Sequence, residues 1–110
     1  MYIQYTSNPL RAGMEFDGFD WDHGNEEKCR KHGVSIAEIE SLFDGAIFVW
    51  PDAAHSASEQ RFRAIGATSR GRWVFLVFTW RIKNGRRLVR PISARYMHKK
   101  ETAAHEKEIP

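Results

Sequence analysis

Between Arg61 and Lys100 the chain carries twelve Lys/Arg residues and no Asp or Glu. The same window holds the most apolar run of the sequence, Trp73-Val74-Phe75-Leu76-Val77-Phe78. A near-continuous apolar run of this length reads as a buried strand, best placed in the middle of a sheet. The chain has 17 basic and 14 acidic residues, so the window leaves five basic against fourteen acidic elsewhere. A net charge of +3 therefore hides a strongly polarised molecule. A buried strand flanked by cations predicts a small sheet presenting a positive face to a polyanion.

The elements around that strand follow from local signals. Residues 1–13 show no period and read as a loose leader, with the single domain expected over 14–110. Residues 15–21 read as a short strand or extended segment supplying Phe16, Phe19 and Trp21. Asp22 is a good N-cap for a charged helix over 23–32, ending at Gly33, with Cys29 and His32 as its inward residues. Ser35-Ile36-Ala37-Glu38 is a capping box. Ile36, Ile39, Leu42 and Phe43 then recur at helical spacing, as a stripe that covers a sheet. Ala46 to Trp50 reads as a strand ending at Pro51-Asp52, followed by a polar loop holding His55. Arg61 to Thr68 is a second long strand, and Ser69-Arg70-Gly71 a turn. Asn84-Gly85 marks a tight hairpin. Pro91 in the returning strand, Arg87 to Arg95, implies an edge or a bulge. The chain beyond Tyr96 is polar and reads as helix or frayed tail. The predicted class is α+β: a run of antiparallel strands with helices before and after it.

Composition narrows the function classes. At 110 residues there is material for one modest core. One cysteine excludes an internal disulfide and fits a reducing compartment. No N-terminal signal peptide and no apolar run near membrane length is apparent, which predicts a cytoplasmic protein without a membrane partner. The histidines show no metal-ligand spacing, so neither a metal nor another cofactor is expected.

Strand alternation predicts which side chains meet. If Leu88, Ile92 and Ala94 face the helices, Ser93 and Arg95 face away. The open side of the sheet then gathers Arg61, Arg63, Arg81, Ser93 and Arg95. His55 and Glu59 lie beside it, and His98, Lys99 and Lys100 at its lower rim. This set suits RNA cleavage. Glu59 or His55 is a candidate base and His98 or Lys99 a candidate acid, with the arginines neutralising phosphorane charge. Trp80, Tyr96 or Phe62 could stack on unpaired bases. Glu59 equally suits a salt bridge to Arg61 or Arg63, and a charged sheet face is equally consistent with simple solvation. A non-catalytic basic module, binding an acidic protein partner or nucleic acid, is the alternative.

The motifs Phe19-Asp20-Trp21-Asp22, Lys31-His32-Gly33-Val34-Ser35, Pro51-Asp52 with His55-Ser56, Glu59-Gln60-Arg61-Phe62, Ile65-Gly66 and Arg90-Pro91-Ile92-Ser93-Ala94-Arg95 resemble the BrnT family. The resemblance spans about residues 16–106. It implies a RelE-like fold, with a twisted antiparallel sheet of four to five strands, two N-terminal helices and one C-terminal helix. It implies a metal-independent ribonuclease toxin that inhibits translation. It also implies a cognate ribbon-helix-helix antitoxin, through which alone the toxin would meet operator DNA. Carried onto this chain, the family's functional residues are Glu59, Arg61, Arg81, Ser93, Arg95 and His55. The chain departs from the family pattern at Asn25 and Cys29, over Tyr96 to Glu101, and at His105, where a tyrosine is usual.

Overall fold

The apolar run lies inside a strand covering Trp73–Lys83, with strands Arg61–Ala67 and Arg86–Tyr96 bonded on either side. The computed structural model describes residues 5–6, 15–52 and 59–108. In chain order its elements are β1 (Tyr5–Thr6), β2 (Gly18–Phe19), α1 (His23–Arg30) and α2 (Ile36–Ser41), which runs into a 3-10 turn at Leu42–Asp44. There follow β3 (Ile47–Pro51), β4 (Arg61–Ala67), β5 (Trp73–Lys83), β6 (Arg86–Tyr96) and α3 (Lys99–Glu108). The sheet order is β1-β3-β4-β5-β6-β2. The four long strands form the expected antiparallel meander. Two short strands extend it: β1 antiparallel on β3 and β2 parallel on β6. The segment read as a loose leader thus supplies an edge strand. No helix among the described residues is long and apolar enough to cross a membrane.

Local chemistry explains the elements. Asp22 caps α1, accepting from the Asn25 amide at 3.1 Å, while the Asn25 side chain accepts from Asp22 N–H at 2.8 Å. Ser35 and Glu38 make the same reciprocal pair at the start of α2. At the hairpin, Asn84 (φ 53) and Gly85 (φ 76) both take the left-handed conformation, as a two-residue turn matching the strand twist requires. Gly66 lets the 3-10 turn after α2 approach closely, since a Cβ there would sit 3.3 Å from Leu42 Cβ.

One face of the sheet packs under α1 and α2. Ile47, Val49, Ala64, Val74, Leu76, Phe78, Val89 and Ala94 meet Cys29, Val34, Ile39, Leu42 and Phe43 there. Each large apolar side chain fully buried in this layer stabilises the fold by about 1.5–3 kcal/mol. His32, expected to point inward with Cys29 on a helix running to residue 32, is exposed instead, because α1 ends at Arg30 and His32 lies in the turn that follows. α3 packs on the other face: His105, 2 % exposed, stands edge-on to Phe48 at 4.6 Å and Trp73 at 4.5 Å. The C-terminal segment is therefore a docked helix. It covers one end of the second face and leaves the other end open.

Pro91 occupies a β-bulge, where the β5–β6 register shifts between Val77 and Phe78. The extra residue reverses the inside–outside phase of β6. Ala94 is buried above the bulge, and Val89 and Pro91 below it. Ile92, assigned to the helix side by simple alternation, turns to the open face beside Ser93. The carbonyl of Pro91 is met by the buried Asn25 amide at 2.8 Å, which also donates to Asp20 O at 3.0 Å. Asn25→Ala removes these bonds and the cap partner and leaves buried carbonyls unsatisfied. It is expected to cost about 1–3 kcal/mol, read as a lower urea midpoint with the slope unchanged.

Candidate active site

The open face of the sheet is arranged in rows across β4, β5 and β6. Arg63 pairs with Val77, which pairs with Ser93. One row on, Ile65 pairs with Phe75, which pairs with Arg95. Neighbouring strands lie about 4.8 Å apart, so Arg63 and Ser93 stand about 10 Å apart across Val77. Phe75 forms the floor, with the Arg95 guanidinium 5.1 Å and the Arg63 guanidinium 5.8 Å from its ring centre. The result is an open groove of about 440 Å³ whose lining includes Arg61, Arg63, Ser93 and Arg95.

Two further charged groups reach it. Asp52, just after β3, is 4 % exposed and sits 3.4 Å from Arg63 Nε. Its backbone N–H donates to Arg61 O at 2.8 Å, tying the end of β3 to the start of β4. Lys28 comes from α1. Asn25, one turn earlier on the same side of that helix, is anchored in the bulge, and this brings Lys28 to the groove that Ile92 and Ser93 also line. Sequence reading passed over both residues. Asp52 stood there only as the end of a strand and part of a family motif, and Lys28 only as one charge of a charged helix, so neither was given a role. Four cations and one carboxylate among the lining residues make the groove strongly positive.

The other expected site residues fall in three groups. Arg81 and Glu59 form an ion pair at 3.1 Å, on the open face one step beyond Arg61. Trp80 and Tyr96 lie on the helix side, away from the groove. Trp80 packs on Phe78 at 5.5 Å, with Arg87 3.9 Å from its ring centre. The Tyr96 hydroxyl donates to the Glu38 carboxylate at 2.7 Å, and Arg72 covers its ring at 3.5 Å. Both follow from alternation: Trp80 shares the face of Phe78, and Tyr96 pairs with buried Val74. Lys99 lines a separate hollow with Trp73 and Glu106, and His98 and Lys100 are exposed at the start of α3. His55 lies outside the described residues. Among the described residues, no three of His, Cys, Asp and Glu cluster as metal ligands.

Not every cation of the acid-free window serves the groove. Lys83 and Arg90 hold the buried Asp20 at 2.8 and 3.2 Å, and Arg90 also reaches Asp22 at 2.9 Å. Burial raises the Asp20 pKa, but the hydrogen bonds and charges of Lys83 and Arg90 outweigh it and leave that carboxyl below its ordinary range. Arg86 donates to Asp17 O at 2.9 Å. These cations lock the first segment of the domain onto the β5–β6 hairpin.

Comparison with known protein families matches residues 21–101 to BrnT, the ribonuclease toxin of type II toxin–antitoxin systems. The chain belongs to the BrnT family. A search of curated proteins finds no match. Membership in this toxin family implies an antitoxin partner. It also assigns ribonuclease chemistry to a fold with an open, strongly cationic groove lined by Arg61, Arg63, Ser93 and Arg95.

In this BrnT-family chain Arg95 already holds an anion. Its guanidinium grips Glu101 with two parallel bonds of 2.8 Å, and Glu101 also accepts from His98 N–H at 2.9 Å. The Arg95 hydrogen bonds, then the His98 amide, pull the Glu101 carboxyl down to about 2. The folded pKa lies below the ordinary 4.5, so this contact stabilises the fold fully above about pH 4.5 and is lost as pH falls toward 2. Glu101→Gln is expected to flatten the fall of the thermal midpoint between pH 5 and pH 2, approximate bounds set by the linkage. An unchanged pH profile would show that the pair contributes nothing to stability.

Proposed function

We propose that this BrnT-family chain is an active endoribonuclease toxin that cleaves RNA without a metal ion and inhibits translation in the cytoplasm. The observation that carries the reading is the gathering of three guanidiniums and a serine hydroxyl around one open groove. Arginine forks match phosphate oxygens bidentately, and a phosphorane held among them has its charge met without a cation cofactor. Glu59, ion-paired with Arg81 and two residues before Arg61 of the groove, is the proposed base for the 2′-hydroxyl, with His55 the second candidate. Ser93 donates a hydrogen bond to a phosphate oxygen. The cognate antitoxin is a ribbon-helix-helix protein whose acidic segment competes with RNA for the groove, and operator DNA is met only through that complex.

The test is cleavage of total RNA by the purified chain, with and without EDTA and with and without antitoxin. Cleavage that EDTA leaves intact and antitoxin abolishes is the expected result. RNA affinity should also fall with salt, with a log–log slope of roughly −0.7 per phosphate contacted on a single strand. Intact RNA, with salt-sensitive binding retained, would favour a basic module that binds without cleaving.

A further inference from the structure

Cleavage by the route proposed above needs a proton for the leaving 5′-oxygen, and the groove offers few donors. Arg61, Arg63 and Arg95 hold their protons too tightly to give one up. Asp52 faces the Arg63 guanidinium at 3.4 Å. Ser93 is neutral and a weak acid. Lys28 is the one ammonium among the residues lining the groove, and it makes no ion pair among the described residues. It also projects from a rigid base: Asn25, one turn back, is buried and bonded to the Pro91 carbonyl in the β-bulge at 2.8 Å. The same bulge turns Ile92 and Ser93 toward the groove. Helix and strand are thus held together beside the groove that Lys28 and Ser93 both line.

We propose that Lys28 is the general acid of the reaction, a role that rests on the ribonuclease reading above. The 2′-hydroxyl gives its proton to Glu59, and the 2′-oxygen bonds to phosphorus. The bond from phosphorus to the 5′-oxygen breaks, its electron pair passes to that oxygen, and Lys28 Nζ supplies the proton. The products are a 2′,3′-cyclic phosphate and a 5′-hydroxyl. Exchange with water reprotonates Lys28 and deprotonates Glu59. An ammonium is suited to this step because it both attracts the phosphate and can release a proton to a nascent alkoxide.

The experiment compares wild type, Lys28→Ala and Lys28→Arg on two RNA oligonucleotides. One has the ordinary linkage at the bond that wild type cuts. The other has a 5′-bridging sulfur there, a leaving group that needs no proton. On the ordinary linkage both variants should cleave about 100-fold or more slowly. On the sulfur linkage Lys28→Arg should lose little and Lys28→Ala only the few-fold owed to its missing charge, far less than on the ordinary linkage, which also shows that they fold. Full activity of Lys28→Arg on the ordinary linkage would reduce Lys28 to a phosphate-binding charge and overturn the assignment. So would an equal defect on both linkages, or a Lys28→Ala variant as fast as wild type. Failure of the wild type itself to cut either oligonucleotide would instead remove the ribonuclease reading, and this role with it.

Discussion

Arg95→Ala is expected to slow RNA cleavage by about 100- to 1,000-fold, the usual loss when one preorganised donor to transition-state charge is removed. Arg95 is placed for that role by β6, two residues beyond Ser93, and its guanidinium lies 5.1 Å from the Phe75 ring centre at the groove floor. Its bond to Glu101 shows the geometry it offers a ligand: two parallel contacts of 2.8 Å to two oxygens of one anion. A phosphate presents the same pair of oxygens. Arg95→Lys keeps the charge but not the fork, so it should recover only part of the rate. Single-turnover cleavage of one RNA oligonucleotide measures both. The fold should survive, because the Arg95–Glu101 pair is more than a third exposed, and exposed pairs contribute about 1 kcal/mol or less. A rate within a few-fold of wild type would remove Arg95 from the catalytic set.

Phe78→Ala is expected to destabilise the domain by about 3–5 kcal/mol, the range for emptying an aromatic site in a packed core. Phe78 is 1 % exposed on the central strand. It stacks on Phe62 at 5.5 Å and stands edge-on to Phe43 at 5.7 Å and Trp80 at 5.5 Å. Phe43 in turn meets Phe16 at 5.6 Å and Phe19 at 5.4 Å, so one ring joins the sheet, the 3-10 turn and the N-terminal segment. Against a typical total of about 5–15 kcal/mol, the loss leaves a marginal fold. The urea midpoint at pH 7 checks it. A shift worth less than about 1 kcal/mol would mean that the cluster closes over the gap.

Much of the architecture was legible locally. Asp22 and Ser35 announced helix starts because a side-chain oxygen next to free amides is a one-turn interaction. Asn84-Gly85 announced the hairpin because only such residues take positive φ cheaply. The site was legible in its residue types but less so in its assembly. Arg61, Arg63, Ser93 and Arg95 meet as alternation predicts, since the bulge lies below Ser93 and leaves that part of β6 in phase. Trp80 and Tyr96 were expected to meet RNA because large aromatics near cations suit base stacking. Alternation already places Trp80 on the core face with Phe78 and Tyr96 on that of Ala94, and residue type was weighed above it. Lys28 and Asp52 were missed because their value lies in what they approach across the fold.

The sequence by itself determined that a basic, acid-free stretch surrounds a buried central strand, and it identified the arginines that this strand's neighbours carry. Charge count, apolar runs, caps and turn residues act over a few positions, so they can be read without the fold. Only the tertiary structure decided which of the twelve cations are spent on Asp17, Asp20 and Asp22 and which line the groove. Only the tertiary structure, too, brought Lys28 from the first helix to Ser93 of the last strand. Those pairings join residues more than sixty positions apart, and although Pro91 signals the bulge locally, what the bulge does to the facing of Ile92 and Ser93 is decided only across the sheet.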